Sequence, residues 1–200
     1  DELIPSGETS SYRSNPLGLA EFALSRKDPA YVGKAKEVQK VEKARIAGQD
    51  IYAEDANLKD VYEAISKQFD VKPEETEVGS VIFAVKPGDG SAREQAASCQ
   101  RVLGGMANIA REYATKGYRS NLINWGMLPF IIKEGELPFA NGDYLFVPEI
   151  RKAVEEKAPE VKAYAVKDGQ LTEFSLTLGD LTDEEREIIR KGCLINYNRK

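Results

Sequence analysis

The chain has 200 residues, 42% of them hydrophobic and 30% charged, with 28 lysines and arginines against 33 aspartates and glutamates, a formal net charge of −5. That length fits one globular α/β domain, and the acidic balance argues against nucleic acid as the main partner, because phosphate binding needs a net basic face. Histidine is absent, which removes Ser-His triads, Cys-His dyads, phosphohistidine transfer and His-ligated metals together.

The opening Asp1-Glu2-Leu3-Ile4-Pro5 contains neither a starting Met nor a basic-then-apolar leader, and reads as the beginning of a piece of a longer polypeptide. Residues 1–29 are rich in Ser, Gly and Pro and read as loops around a short helix, Leu17 to Leu24. From Ala30 to Ala47 the apolar positions Tyr31, Ala35, Val38, Val41 and Ala44 recur every three or four residues, which predicts an amphipathic helix stopped by Gly48. Lys34, Lys36, Lys40, Lys43 and Arg45 cluster on it with Glu37 and Glu42 among them, the pattern of a solvated helix face. A second helix is predicted from Leu58 to Phe69.

The central unit is predicted to start with a strand, Val78 to Val85, followed by the loop Lys86-Pro87-Gly88-Asp89-Gly90 and a helix from Ser91 to about Leu103. A buried strand, Met106 to Ala110, a helix, Arg119 to Trp125, and a third strand, Leu128 to Ile132, complete two βαβ crossovers with a largely parallel core. A hydrophilic stretch, Lys133 to Gly142, precedes a helix from about Val147 to Lys157. Strands Val161–Val166 and Leu171–Leu176 flank a hairpin turn with Asp168-Gly169 at its centre. The last helix starts at a capping box, Thr182 with Glu185, and stops near Gly192. No run is long and apolar enough for a membrane span. Cys99 and Cys193 lie far apart without a CxxC pair, so they cannot by themselves hold zinc or a cluster, and they read as buried thiols.

Gly88-Asp89-Gly90-Ser91-Ala92-Arg93-Glu94 lies where a strand hands over to a helix. The glycines permit positive φ and close backbone approach, and the helix start offers unpaired N–H groups with partial positive charge. Such a turn binds anions, and Arg93 adds a forked donor matched to a carboxylate. It lacks the Lys-Ser/Thr of a Walker loop and the third glycine of a dinucleotide fingerprint. Ser91 with Glu94 is equally a capping-box pattern, which needs no function.

The same heptapeptide, followed by Leu103-Gly104-Gly105, Tyr113-Ala114 and the run Asn121 to Pro129, resembles the swivel domain of aconitases and isopropylmalate dehydratases. That family carries Gly-x-Gly-Ser-Ser-Arg-Glu and a segment ending Asn-x-x-x-x-Gly-Leu-Leu-Pro. The resemblance is strongest over residues 78–132. Asp1-Glu2-Leu3-Ile4 resembles the family's Thr-Asp-His-Ile, and Ser25-Arg26-Lys27 its Asn-Arg-Lys. The implied fold is a swivelling β/β/α domain with a mixed, largely parallel central sheet. One domain spans 1–200: substrate-side loops at 1–29, the βαβ core at 78–132, and a C-terminal hairpin with helices at 133–200.

The resemblance implies that Ser91 is a general base removing the proton next to a substrate carboxylate, that Arg93 binds that carboxylate, and that Arg26 holds another. Ala92 replaces a second family serine, so only its backbone N–H remains to contact substrate. Asp1 matches an active-site aspartate of the family. Tyr12 and Arg13 read as an ordered surface loop rather than a substrate mouth. Trp125 and Met127 read as core. Family members bind a four-iron–four-sulfur cluster through three cysteines in other domains, so the implied partners are the cluster-bearing domains, in the same polypeptide or a large subunit, in a cytoplasmic setting. The implied reaction interconverts a hydroxy-polycarboxylate such as citrate with its isomer by dehydration and rehydration. An isopropylmalate dehydratase-type small subunit and a non-catalytic carboxylate-binding or regulatory module are the alternatives.

Overall fold

The structure, a computed structural model, describes residues 30–88 and 93–192. Helix α1 (Tyr31–Ile46) buries Tyr31, Ala35, Val41 and Ala44 at three-to-six-residue intervals and leaves Lys34, Lys36, Lys40 and Lys43 in solvent. Arg45 is the exception in that basic cluster: it forks onto Glu42 and donates from Nη1 to the Glu74 carbonyl at 2.9 Å. A short helix α2 (Ile51–Glu54), absent from the sequence expectation, is started by Asp50, whose carboxylate accepts from Tyr52 N. Helix α3 (Asn57–Ser66) buries Leu58, Tyr62, Ala64 and Ile65.

Strand β1 (Ser80–Ala84), helix α4 (Arg93–Val102), strand β2 (Gly105–Ala110), helix α5 (Lys116–Asn124) and strand β3 (Leu128–Ile131) form the two crossovers that the hydrophobic pattern predicts. The three strands pair in parallel in the order β1-β2-β3, with Ile82 opposite Asn108 and Ile109 opposite Phe130. Helix α5 begins three residues earlier than its apolar periodicity indicates. Thr115 explains this, because its hydroxyl accepts from Tyr118 N and caps the helix.

A second sheet, antiparallel in the order β4-β5-β6, follows: β4 (Tyr144–Phe146), β5 (Val161–Lys167) and β6 (Gln170–Leu176). The β5–β6 turn places Asp168 at φ +51° and Gly169 at φ +76°, the paired positive values of a type I′ hairpin. Between β4 and β5 lies α6 (Ile150–Glu155), and α7 (Asp183–Lys191) closes the described chain with the reciprocal Thr182–Glu185 capping box and Gly192 at φ +89°. The two sheets meet edgewise at one antiparallel bridge, where Ile131 N donates to Thr177 O at 2.7 Å and Thr177 N to Ile131 O at 2.9 Å.

Alternation along the strands sets the layers. One face of the parallel sheet, with Ile82, packs under α1, α4 and α5 through Ala35, Ala97, Leu122 and Met127. The other face, with Ala107, Ile109 and Phe130, packs on Val161, Ala163 and Leu176 of the antiparallel sheet. The far side of that second sheet, through Phe146 and Val166, covers α1 and α3. Helices α4 and α5, the parallel sheet and the antiparallel sheet follow the β/β/α order expected, with α3 and the second half of α1 added beyond it, and the antiparallel share of the mixture is gathered in its own sheet. Trp125 and Met127 belong to the core, as expected. Among the described residues no helix is long and apolar enough to cross a membrane.

Candidate active site at the carboxyl edge of the parallel sheet

In open parallel sheets the carboxyl ends of the strands form the crevice where ligands bind, because loops and helix N-termini converge there. Here that edge is laced by hydrogen bonds. As β1 ends, the Val85 carbonyl accepts from both Arg111 N and Glu112 N at 3.2 Å. The Pro87 carbonyl accepts from Ala114 N at 2.9 Å, and Ile132 N donates to the Ala110 carbonyl at 2.9 Å. Thr115 Oγ1 donates to the Gly88 carbonyl at 3.1 Å while accepting from Tyr118 N. The chain leaving β1 is thus strapped to the chain leaving β2 as far as Gly88.

Gly88 is at φ +99°, and a Cβ there would stand 2.5 Å from Tyr118 Cβ. No other residue fits both the backbone and the space. Tyr118 is fully buried. Its phenol oxygen accepts from Gln100 Nε2 of α4 at 2.7 Å and from Asn108 Nδ2 of β2 at 2.6 Å. Burial drives the Tyr118 phenol well above the ordinary tyrosine range, and the two amide hydrogen bonds only partly oppose it. The phenol is neutral. Burial likewise raises Tyr113, whose hydroxyl donates to the Phe130 carbonyl at 2.9 Å.

Beyond Gly88 the next described residue is Arg93, which opens α4; only its backbone belongs to the described structure. Ser91 and Ala92 lie outside the described residues, as do Asp1, Tyr12, Arg13 and Arg26. The structure therefore brings together the two anchors of the predicted anion-binding turn, Gly88 and the first turn of α4, and does not test the roles assigned to the side chains. Sequence reasoning missed the support beneath the turn: Thr115, Tyr118, Gln100 and Asn108. Only Asn108 gave a signal, as a lone amide inside the apolar run Met106–Ala110.

Cys99 is buried in the helix-side core, and that burial pushes its thiol up to about 11. Among the described residues no group of three or more His, Cys, Asp and Glu side chains could hold a metal ion. Among the described residues, with Cys99 as their one cysteine, the side chains do not fit an iron–sulfur cluster. The surface cleft between α6 and α7 is lined by charges that already neutralise one another, Lys157 with Asp183 at 2.8 Å and Arg190 with Glu155 at 2.8 Å.

A three-stranded parallel sheet with helices on one face and an antiparallel sheet on the other defines a β/β/α domain in class. The family model for the aconitase C-terminal domain matches residues 31–135, more than half of the chain, and the chain belongs to that family. Among solved structures it is similar to 3-isopropylmalate dehydratase from Methanocaldococcus jannaschii, with a TM-score of 0.54 and 20% identity over 98% of this chain and 83% of that one. At that identity the likeness is one of fold. No curated protein matches the chain.

Proposed function

We propose that this chain is the swivel domain of an aconitase-type hydro-lyase that isomerises a hydroxy-polycarboxylate such as citrate, with Ser91 as the general base. The observation that supports the reading is where the two flanks of the signature lie, with Gly88 against Tyr118 of α5 at the carboxyl edge and Arg93 opening α4. A serine hydroxyl is a weak base near neutral pH, so its alkoxide needs stabilisation. The N–H groups that open α4, the positive end of its dipole and the Arg93 guanidinium would supply it.

In this reading Arg93 binds the carboxylate beside the carbon that loses its proton, where negative charge builds up. The Ala92 N–H keeps one backbone contact while the family's second hydroxyl contact is lost. Arg26 holds a further carboxylate, and this favours citrate-like substrates over isopropylmalate, since a third carboxylate calls for a cation and an isopropyl group for an apolar wall. The cluster belongs to the partner domains, where it would act as a Lewis acid on the substrate hydroxyl. Alone, this domain folds but does not turn over substrate; a cytoplasmic setting accompanies the reading.

The replacement at Ala92 favours a second reading, a carboxylate-binding module without catalysis. The two separate on one assay of the complete, cluster-loaded enzyme with citrate and with 3-isopropylmalate. Turnover of citrate that is lost in Ser91→Ala supports the first reading. Tight binding of citrate without turnover supports the second, and preferred turnover of 3-isopropylmalate removes the substrate role of Arg26.

A further inference from the structure

The residue before the turn and the helix after it both touch one side chain: Gly88 directly, and α4 through Gln100, seven residues past its start. On the near side, the Gly88 backbone lies against Tyr118, so that a Cβ would come within 2.5 Å of Tyr118 Cβ and 2.6 Å of its Cγ and Cδ1. On the far side, α4 is tethered to the same residue, since Gln100 Nε2 donates to the Tyr118 hydroxyl at 2.7 Å. Asn108 Nδ2 of the central strand donates to that oxygen at 2.6 Å. The node is dry: Tyr118, Asn108 and Gln100 are 0%, 1% and 2% exposed.

We propose that Tyr118 is a positioning residue for the anion-binding turn, its ring seating Gly88 and its hydroxyl fixing α4 against β2. The proposal rests on the reading of Ser91 as base and adds the device that sets where that base stands. A hydrogen-bonding tyrosine here is more than the core requires. The helix-side core around it is built mainly from apolar side chains such as Ala35, Ile82, Ala97, Leu122 and Met127, with Tyr31 and Tyr113 beside them, and a phenylalanine would fill the same volume. Instead the fold buries two amides whose carbonyl oxygens, Gln100 Oε1 and Asn108 Oδ1, have no hydrogen-bond partner among the described residues. Buried polar groups left partly unsatisfied carry a cost, and a shared node between three elements is what that cost maintains. Thr115 reinforces it, because one hydroxyl both holds the Gly88 carbonyl and caps the helix that carries Tyr118.

Tyr118→Phe keeps the seat for Gly88 and removes the tether to α4. Gly88→Ala keeps the tether and lifts the seat. Each variant therefore frees one end of the turn. A misplacement near 1 Å costs about 100-fold in rate, so Tyr118→Phe in the complete enzyme is expected to lower kcat for citrate about 10- to 100-fold with KM little changed. In a Ser91→Ala background the same change is expected to have no further effect.

Hydrogen exchange on the same proteins provides a readout that does not depend on turnover. Amides of residues 86–95 should exchange faster in Tyr118→Phe and in Gly88→Ala, while the β5–β6 hairpin exchanges as in the unmodified enzyme. Unchanged exchange across 86–95 in both variants would overturn the proposal, as would an equal loss of kcat from Tyr118→Phe with and without Ser91. Full turnover in Ser91→Ala alone would instead remove the base, and the exchange measurement would then decide the role of Tyr118 by itself. Should Tyr118→Phe fail to fold, Gly88→Ala decides the same question.

Discussion

Gly126 faces the backbone of Gly192 so closely that a Cβ on Gly126 would stand 1.8 Å from the Gly192 carbonyl oxygen and 2.9 Å from its Cα. The contact joins the end of α5 to the end of α7, through two glycines 66 positions apart in the chain. Both glycines are at positive φ, +76° and +89°, as helix-terminating residues. The glycine in the run Asn121 to Pro129 thus has a packing reason, beyond its place in a signature.

Gly126→Ala should be among the most damaging small substitutions in the chain. The methyl would meet backbone, which cannot swing aside as a side chain can, and the residue would be held in a left-handed conformation. Overpacking and the φ penalty together suggest a loss of about 3 kcal/mol or more. Urea unfolding of the variant would show it as a lowered midpoint. A midpoint equal to the parent's would mean that α7 does not pack on α5 as described.

Gly33 offers the opposite case. It lies inside α1, and a Cβ there would meet nothing within 4 Å among the described residues. Replacing it with alanine lowers the entropy of the unfolded chain without a clash, so Gly33→Ala should stabilise by about 0.5–1 kcal/mol. A rise of a few degrees in Tm is the expected result. A fall would show that something packs against that face of α1.

The chain has no histidine, so no side chain has an ordinary pKa between about 5 and 8. Stability should be nearly flat there. Burial raises the Cys99 thiol from 9.0 to about 11, and burial also raises Tyr31 and Tyr62 from 10.0 to about 12. In each case the folded state favours the neutral form, so the stabilisation is complete below the unfolded pKa and is lost as pH rises through the folded one. Tm should hold to about pH 9, fall from there as unfolded Cys99 ionises, and fall more steeply above 10 with the tyrosines. Cys99→Ala should delay the onset. An onset unmoved by that change would contradict burial of the thiol.

Much of this fold could be read from the chain before folding, because its elements announce themselves locally. The three-to-four spacing of Tyr31, Ala35, Val38, Val41 and Ala44 marks α1, Asp168-Gly169 marks the hairpin, and Thr182 with Glu185 marks α7. What escaped depends on contacts distant in sequence. Strand β4 has only three residues, Tyr144–Phe146, and exists because β5 pairs with it. Helix α6 starts at Ile150 rather than near Val147 because Pro148 intervenes and Glu149 takes φ +55°. At the site, the glycine turn was legible as a motif, whereas the amide node beneath it draws on α4, β2 and α5 and has no local signature.

The central claim is that the hydroxyl of Ser91 removes a substrate proton. The most direct measurement is loss of that proton to solvent: incubate the complete, cluster-loaded enzyme with citrate in deuterated water and follow deuterium incorporation into substrate by NMR. The account predicts rapid incorporation in the parent enzyme and a loss of about 100-fold or more in Ser91→Ala, with the cluster's spectroscopic signature and citrate binding retained. Incorporation at the parental rate in Ser91→Ala would contradict it.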